Sequence, residues 1–361
     1  MLNMSPKERF LTALHGGQPD RVPCYDFLFS VELFNTLIGN VDEDYSYNAE
    51  DALKCAKILG LDGLWIPFGG LVDNYANRIS KDIYIDEWGT KYKKDKSSWP
   101  IDSPIEYPII TRKDLINYIP PEPFDSKRLE EFRKAVKINN NEIALLAGLN
   151  GPLTTATFLM GLENVCINLY DDPLLVEEIF AMSNKFWIEA GKLMVKEGAD
   201  AIIFGEDLGY ATNLFASPKH LRKHLFPYIK ELVTTFTSMG IPVIMHSDGK
   251  LHDVFEDIVQ FGINGYHPSE RKANMSLKWA KENFGNKICL FGNVDSSKTL
   301  PFGTLEEVEK ETIECLKDAA EGGGYIIGSD HSLHDGIPME NIFKMFETIK
   351  KYGTYPLQVI S

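Results

Sequence analysis

Residues 241–249 carry the sequence Ile-Pro-Val-Ile-Met-His-Ser-Asp-Gly, an apolar run that passes directly into polar residues. An apolar run of this length, without alternating polar residues, is typical of a parallel strand that is buried on both faces. The polar residues are therefore expected at the carboxyl end of a strand. They raise the question of whether His246 and Asp248 form half of a metal site or only a polar turn.

The same pattern recurs along the chain, and its repetition predicts the fold. Apolar runs alternate with amphipathic helical stretches such as those that begin at Pro173, Pro218 and Leu305. The candidate strands cover residues 22–27, 61–66, 143–147, 201–204, 242–245, 262–266, 288–291 and 325–327. Strand–helix–strand repeats with short connections specify right-handed βαβ units. Eight such strands predict an α/β fold, a single (β/α)₈ TIM barrel, with an open doubly wound sheet as the alternative.

Two segments lie outside this repeat. The first 17 residues lack the apolar core of a signal peptide and predict an amphipathic N-terminal helix that begins at Ser5-Pro6. Residues from about 68 to 123 are rich in Pro, Asp, Lys and Tyr, which indicates an insertion that caps the barrel mouth. Because no Gly/Ser-rich or Pro-rich linker divides the chain, residues 1–361 are interpreted as one domain.

Composition narrows the class of function. The chain of 361 residues has 44% hydrophobic residues, which is enough for a substantial core, and a net charge of −15. An acidic surface argues against nucleic acid or an anionic membrane as a partner. The absence of a run of about 18 apolar residues predicts no transmembrane span. Five scattered cysteines without a C-x-x-C pair are typical of reduced thiols in a cytoplasmic protein. The sequence leaves a homodimer open.

Polar residues follow several predicted strands, and a parallel barrel gathers all these strand ends on its C-terminal face. Alternate residues of an extended segment share a face, so His246 and Asp248 are expected to point the same way. Imidazole and carboxylate together suit Zn²⁺ or a similar divalent metal. We therefore predict a metal site from His246, Asp248, His331 and Glu206. The alternative is a hydrogen-bonded polar cluster, since polar residues after strands are also common as surface turns and helix caps.

Several stretches resemble the uroporphyrinogen decarboxylase superfamily, in the same order and over nearly the whole chain. They are residues 5–14, 20–23, 205–209, 246–249, 291–294 and 323–331. The resemblance implies a single (β/α)₈ barrel, and the superfamily contains both tetrapyrrole decarboxylases and corrinoid-linked methyltransferases. The decarboxylases carry an arginine-rich stretch after the first strand, where residues 23–32 of this chain contain no arginine. The decarboxylase alternative is therefore disfavoured.

The resemblance to the methyltransferase branch implies a more specific reaction. The branch that serves coenzyme M has an H-x-C zinc motif and a later cysteine, where this chain has His246, Asp248 and His331. Carboxylate and imidazole make a harder site than thiolates, which favours an oxygen-bearing methyl donor. The implied function resembles that of bacterial O-demethylases, in which methyl passes from a vanillate-like aryl methyl ether to the Co(I) of a corrinoid protein. A coenzyme M-type thiol methyltransferase and a non-catalytic ligand-binding barrel are further alternatives.

This hypothesis assigns roles to individual residues. Zn²⁺ is expected to act as a Lewis acid at the ether oxygen, with Asp207 and Glu206 as catalytic residues. The chain has no D-x-H-x-x-G cobalamin signature, so a partner protein is expected to bring the corrinoid to the C-terminal face of the barrel. The predicted substrate-binding residues are Trp65, Asn150, Tyr210, His267 and Asn293. Such a reaction belongs to anaerobic one-carbon metabolism.

Overall fold

The computed structural model describes residues 4–39, 41, 45–69, 76–94 and 101–358. In chain order the strands are β1 Leu28–Phe29, β2 Gly63–Pro67, β3 Asn77–Arg78, β4 Ile83–Ile85, β5 Lys91–Lys93, β6 Ser103–Glu106, β7 Ala144–Asn150, β8 Ala201–Gly205, β9 Val243–His246, β10 Gly265–His267, β11 Cys289–Phe291, β12 Tyr325–Ile326 and β13 Leu333–His334. The helices are α1 Pro6–Leu14, α2 Val31–Ile38, α3 Ala49–Leu59, α4 Arg112–Asn117, α5 Glu130–Asn139, α6 Pro152–Met160, α7 Leu162–Asp171, α8 Pro173–Lys196, α9 Pro218–His220, α10 Phe226–Ser238, α11 Phe255–Gln260, α12 Leu277–Phe284, α13 Thr299–Phe302, α14 Leu305–Ala319 and α15 Met339–Tyr352.

A curved parallel sheet forms most of the barrel, in the order β2–β7–β8–β9–β10–β11–β12. The backbone of residues 23–25 closes the ring between β12 and β2. The Ile327 N–H donates to the Pro23 carbonyl at 2.9 Å, and the Asp62 N–H donates to the Cys24 carbonyl at 2.8 Å. The predicted (β/α)₈ barrel is confirmed. The first strand of the barrel is irregular: Cys24 forms a single parallel bridge with Ile327, and β1 pairs with β13 further along the chain.

Both faces of the sheet are buried, as the continuous apolar runs predict. In β8, Ala201 and Ile203 belong to the cluster inside the barrel, whereas Ile202 and Phe204 belong to the cluster between strands and helices. All four side chains are at most 2% exposed. Neighbouring residues of one strand therefore serve two different cores, which leaves no position for a polar residue until the strand ends.

Helix α1 closes the N-terminal end of the barrel. Ser5 caps it, and Glu8 completes a capping box by accepting from the Ser5 N–H. Phe10 and Leu14 pack into the cluster inside the barrel. A Cβ atom at Gly63 would lie 2.8 Å from the Phe10 ring, so β2 needs glycine where this helix approaches it. The predicted amphipathic N-terminal helix is confirmed.

Residues 77–106 contain a separate four-stranded antiparallel sheet, in the order β3–β4–β5–β6. The Tyr84 and Tyr92 rings stack within it at 5.3 Å. The sheet falls in the segment 68–123, which is predicted to be a capping insertion. Residues 70–75 and 95–100 of this segment lie outside the described part of the chain. The extent of this insertion and the single-domain organisation stay predictions. No helix of the described residues is long and apolar enough to cross a membrane.

A buried ion-pair network joins α1 to the closing segment of the barrel. The Asp62 carboxylate is fully buried and accepts from Arg9 Nη1 at 2.6 Å and from Arg21 Nη2 at 3.1 Å. Its second oxygen accepts from the Cys24 N–H at 2.7 Å. Arg9 also donates to Asp20 at 2.6 Å. One carboxylate therefore links the helix, the closing segment and the start of β2.

We predict that Asp62→Ala lowers the free energy of unfolding by about 3–5 kcal/mol, because it leaves the buried Arg9 guanidinium short of a carboxylate partner. Urea denaturation followed by circular dichroism measures this change. Glu282→Ala is the matched control, since it removes an exposed ion pair with Lys278 at 3.9 Å and is expected to change stability by at most about 0.5 kcal/mol. Equal effects of the two substitutions would contradict the assigned role of Asp62.

Candidate active site

The strand register places the candidate residues in one row at the C-terminal end of the barrel. Gly205 of β8 pairs with His246 of β9, which pairs with His267 of β10. Asn150 of β7 pairs with Gly205 and extends the row. His331 lies in the loop between β12 and β13. The polar residues that follow successive apolar runs in the sequence therefore share one mouth.

His246, Asp248 and His331 form a group of potential metal ligands, with one ligand atom from each lying within 4.8 Å of the others. His331 Nε2 is 3.3 Å from Asp248 Oδ2, and His246 Nε2 is 3.9 Å from Asp248 Oδ1. Asp248 Oδ1 is buried and has no hydrogen-bond partner among the described residues. Burial raises the pKa of Asp248 to about 8, an effect that His331 partly offsets. A buried carboxylate oxygen that faces imidazole nitrogens fits a divalent cation, which would satisfy it.

His267 lies behind His246 and orients it. The two Nδ1 atoms are 2.8 Å apart, and His267 is 1% exposed. Burial lowers the pKa of both imidazoles. In a pair of neutral rings, one Nδ1 must donate to the other, and the bond leaves His246 Nε2 facing Asp207 and Asp248. The structure therefore places His267 in contact with a candidate ligand rather than on the substrate side, where the sequence analysis expects it.

Glu206 is not part of the ligand group found in the described chain. Its carboxylate is fully buried and accepts from the Leu153 N–H at 2.9 Å and the Thr154 N–H at 3.0 Å. These amides belong to the first turn of α6, where a negative side chain is favourable. Burial raises the pKa of Glu206 to about 8, even though the two amide hydrogen bonds oppose this rise. Its geometry is that of a helix cap, in contrast to the predicted roles as metal ligand and catalytic residue.

A cavity of about 390 Å³ opens from His246 and His331, within the size range of small-molecule sites. Trp65 and Asn150, two of the predicted substrate-binding residues, line it, and Asp207 lies on its wall. The aromatic lining comes from the barrel, the small antiparallel sheet and two helices: Phe27, Phe29, Trp65, Phe68, Trp88, Tyr92, Phe158 and Trp187. The cavity therefore offers flat apolar walls that end at the ligand group.

Besides His267, the predicted substrate-binding residues Tyr210 and Asn293 do not belong to the described lining of this cavity. Tyr210 is 53% exposed and stacks on Phe215 at 5.8 Å. Asn293 is buried, and its side-chain amide donates to the Ser269 carbonyl at 2.6 Å. Asparagine and tyrosine at strand ends are equally compatible with loop packing, so their positions in the sequence could not separate the two roles.

Asp207 connects the ligand group to the cavity. Its Oδ1 atom accepts from the Asp248 N–H at 2.9 Å and lies 3.8 Å from His246 Nε2. About half of its side chain is exposed. Of the two acidic residues predicted to be catalytic, Asp207 is the one that a molecule in the cavity can reach.

Asp26 supports the site without appearing among the predicted residues. Its carboxylate is buried and accepts from the Ser329 Oγ–H at 2.7 Å and the Ser329 N–H at 2.8 Å. Ser329 Oγ in turn accepts from the His331 N–H at 3.4 Å. Asp26 thus holds the loop that carries His331. A single acidic residue inside the apolar stretch 22–29 was the only signal for this role.

Comparison with known proteins relates this chain to one family, to enzymes of two kinds and to a solved structure of the same fold. The family described as uroporphyrinogen decarboxylase (URO-D) matches residues 89–352. A methylated-thiol–coenzyme M methyltransferase of Methanosarcina mazei is 23% identical over 94% of this chain and 87% of its own. A uroporphyrinogen decarboxylase of Mannheimia succiniciproducens is 25% identical over 68% of this chain and 70% of its own. A solved methyltransferase structure from Methanosarcina mazei shares the fold, with a TM-score of 0.73, 22% identity and coverage of 97% and 99% of the two chains.

If the ligand group binds a metal, removing one of its residues should lower the metal content of the protein. After loading with zinc and dialysis, we expect about one zinc per chain in the wild type and less than about 0.1 in Asp248→Ala, because a ligand and its negative charge are lost. Inductively coupled plasma mass spectrometry measures the content. His252→Ala is the matched control, since His252 packs on Trp279 and is not part of the ligand group. Undiminished zinc in a folded Asp248→Ala protein would refute the assignment.

Asp26 predicts a pH dependence of stability. Burial raises its pKa from 3.8 to about 7, although the hydrogen bonds from Ser329 lower it. A carboxyl group whose pKa is raised by folding contributes stability that is fully present below about pH 4 and is lost as the pH rises through about 7. Relative to the wild type, Asp26→Asn should therefore gain stability on the order of a few kcal/mol over this pH range.

Urea unfolding at several pH values across this range measures the difference. Asp253→Asn is the control, because Asp253 is exposed and should give a curve parallel to that of the wild type. If the stability of the Asp26→Asn protein follows that of the wild type at every pH, then ionisation of Asp26 does not destabilise the folded protein.

Proposed function

The chain belongs to the uroporphyrinogen decarboxylase (URO-D) family, and within this family we propose that it is a corrinoid-dependent methyltransferase. In this proposal it takes the methyl group of an aryl methyl ether and transfers it to the Co(I) of a separate corrinoid protein. The observation that carries the proposal is the His246–Asp248–His331 group at the end of an aromatic cavity. The similarity to a methylated-thiol–coenzyme M methyltransferase supports methyl transfer as the reaction class.

The chemistry of the ligand atoms favours an oxygen-bearing donor. Two imidazoles and a carboxylate form a harder set than one that contains thiolates, and harder sites prefer oxygen to sulfur. When bound, a divalent metal such as Zn²⁺ would supply Lewis acidity for the oxygen of the breaking C–O bond. The unsatisfied Asp248 Oδ1 supports the presence of a cation at this position.

The residues of the chain position the donor and manage its proton. Trp65 and the other aromatic side chains hold a flat ring by stacking and edge contacts and exclude water from it. As the methyl group passes to cobalt, the electron pair of the C–O bond stays on the phenolic oxygen. Asp207, on the cavity wall beside His246, is placed to deliver the proton that this oxygen takes up. Asp26 and His267 keep His331 and His246 in place.

The residues around the first strand argue against a decarboxylase. The decarboxylases that this chain resembles carry an arginine-rich stretch at this position, whereas residues 23–32 have no arginine. In the structure this stretch contributes Phe27 and Phe29 to the cavity wall. An apolar wall in this position offers a polycarboxylate no partner for its charges. It supports an aromatic ligand instead.

The corrinoid acceptor is proposed to dock over the cavity. Methyl transfer requires the cobalt to approach the bound donor, and the cavity lies at the C-terminal ends of the strands. We therefore propose the rim of this face as the docking surface of the corrinoid protein. The thiol methyltransferase remains the second candidate, because the relative from Methanosarcina mazei carries that name.

Methyl transfer can be tested with free cob(I)alamin as acceptor and 2-methoxyphenol as donor. We expect zinc-loaded wild-type protein to consume Co(I), monitored by its absorbance, and His246→Ala to lower the rate at least about 100-fold as metal-derived catalysis is lost. His252→Ala is expected to retain the wild-type rate. Full activity of a metal-free His246→Ala protein would overturn the proposal. If only thiols exchange methyl groups with the corrinoid, the thiol methyltransferase replaces it.

A further inference from the structure

The cavity is lined by carboxylates and, within the described part of the chain, by neither lysine nor arginine. The carboxylates are Asp86, Glu87, Asp102 and Asp207. The lining therefore combines aromatic walls with carboxylates, of which Glu87 is paired with a guanidinium behind the wall. A cavity of this kind discriminates between ligands by their charge as well as their shape.

One guanidinium lies close to this lining, but it is already engaged. Both terminal nitrogens of Arg128 donate to the Glu87 carboxylate, and its Nε donates to the Glu122 carbonyl at 3.0 Å. Its charge also packs 5.8 Å from the centre of the Phe68 ring. Arg128 is 5% exposed. Binding a ligand carboxylate through Arg128 would require the buried pair with Glu87 to break, which is unfavourable.

Asp86 is held in place by hydrogen-bond donors. Its Oδ1 atom accepts from the Thr90 N–H at 2.8 Å, and the Tyr92 side chain also hydrogen-bonds to it. Burial raises the pKa of Asp86 to about 6, so it is largely ionised at neutral pH. Its position between β4 and β5 places a negative charge on the part of the wall that the small sheet provides.

These observations bear on the part of the substrate that does not react. When the reacting oxygen occupies the metal, a carboxylate on the far side of the ring would lose its water next to the carboxylates of the wall and meet no described lysine or arginine in the lining. A phenolic hydroxyl, in contrast, can donate a hydrogen bond to a carboxylate of the wall. We infer that the cavity selects uncharged methoxyphenols and rejects methoxyarenes that carry a carboxylate, such as vanillate.

The inference rests on the proposed function, because it concerns the donor of that reaction. Aromatic walls with carboxylates also suit quaternary ammonium ligands. The His246–Asp248–His331 group favours the methoxyphenol, since a hard metal site assists an oxygen leaving group and has no such role toward a departing tertiary amine. The amine class is therefore an outcome of the test.

Two ligands that differ only in a carboxylate test the inference: 2-methoxyphenol and vanillate. Trp65, Trp88 and Trp187 line the cavity, so quenching of tryptophan fluorescence reports binding to the full-length, zinc-loaded protein without any corrinoid. We expect 2-methoxyphenol to bind at least about tenfold more tightly than vanillate. Turnover with cob(I)alamin should show the same preference in kcat/KM.

Charge-neutralising variants locate the origin of the preference. Asp86→Asn is expected to reduce the ratio of the two dissociation constants at least about threefold, because it removes a negative charge from the wall. Asp253→Asn makes the same chemical change at an exposed residue outside the cavity and should leave the ratio unchanged. Asp102→Asn provides a second neutralised position, with the same expected direction, if Asp86→Asn does not fold.

The outcomes separate the inference from the proposed function. Equal or tighter binding of vanillate, or an unchanged ratio in the folded variants, would overturn the inference even if methyl transfer occurs. Tighter binding of benzyltrimethylammonium than of 2-methoxyphenol would also overturn it and assign the cavity to cationic donors. Preferential binding of 2-methoxyphenol without any methyl transfer would instead uphold the charge selection and refute the proposed function.

Discussion

The barrel closes through a few backbone hydrogen bonds of residues 23–25, and the site depends on this closure. The Asp62 carboxylate reinforces it by accepting from the Cys24 N–H. The Cys24 and Pro23 carbonyls accept from the N–H groups of Asp62 and Ile327, which adjoin β2 and β12. The next residues of the chain then reach the mouth, where Asp26 holds Ser329 and Phe27 lines the cavity. One short segment therefore completes the ring, supports a candidate ligand and forms part of the cavity wall.

Several carboxylates are buried at the C-terminal mouth of the barrel, and each is stabilised by a different kind of partner. Glu206 is satisfied by two amides of α6, and Asp26 by both donors of Ser329. Asp248 differs, because one of its oxygens is buried without a hydrogen-bond partner in the described structure. Uncompensated buried charge is unfavourable, so the fold tolerates this arrangement best when a cation completes it. The same consideration separates the supporting carboxylates from the candidate metal ligand Asp248.

Sequence patterns predicted the barrel because burial on both faces of a parallel sheet leaves continuous apolar runs. They predicted the convergence of His246 and Asp248 because a period of two fixes the direction of alternate side chains. They could not assign Glu206, since no local pattern tells whether a strand-end carboxylate faces the mouth or a neighbouring helix. They also missed Asp86 and Trp187, because these residues reach the cavity from a small irregular sheet and from α8. Such long-range proximity has no periodic signal.

Two features of the site arise from separate parts of the chain and point to the same ligand. The hard donor set comes from the last residue of β9 and from the loops after β9 and β12, and it favours an oxygen leaving group. The inferred preference for an uncharged ligand comes from Phe27 and Phe29 at the first strand and from Asp86 in the turn between β4 and β5. A barrel fold alone does not determine a reaction, so function must be argued from such residues. Because neither feature is a structural consequence of the other, their agreement on a neutral methoxyarene is stronger support than either provides alone.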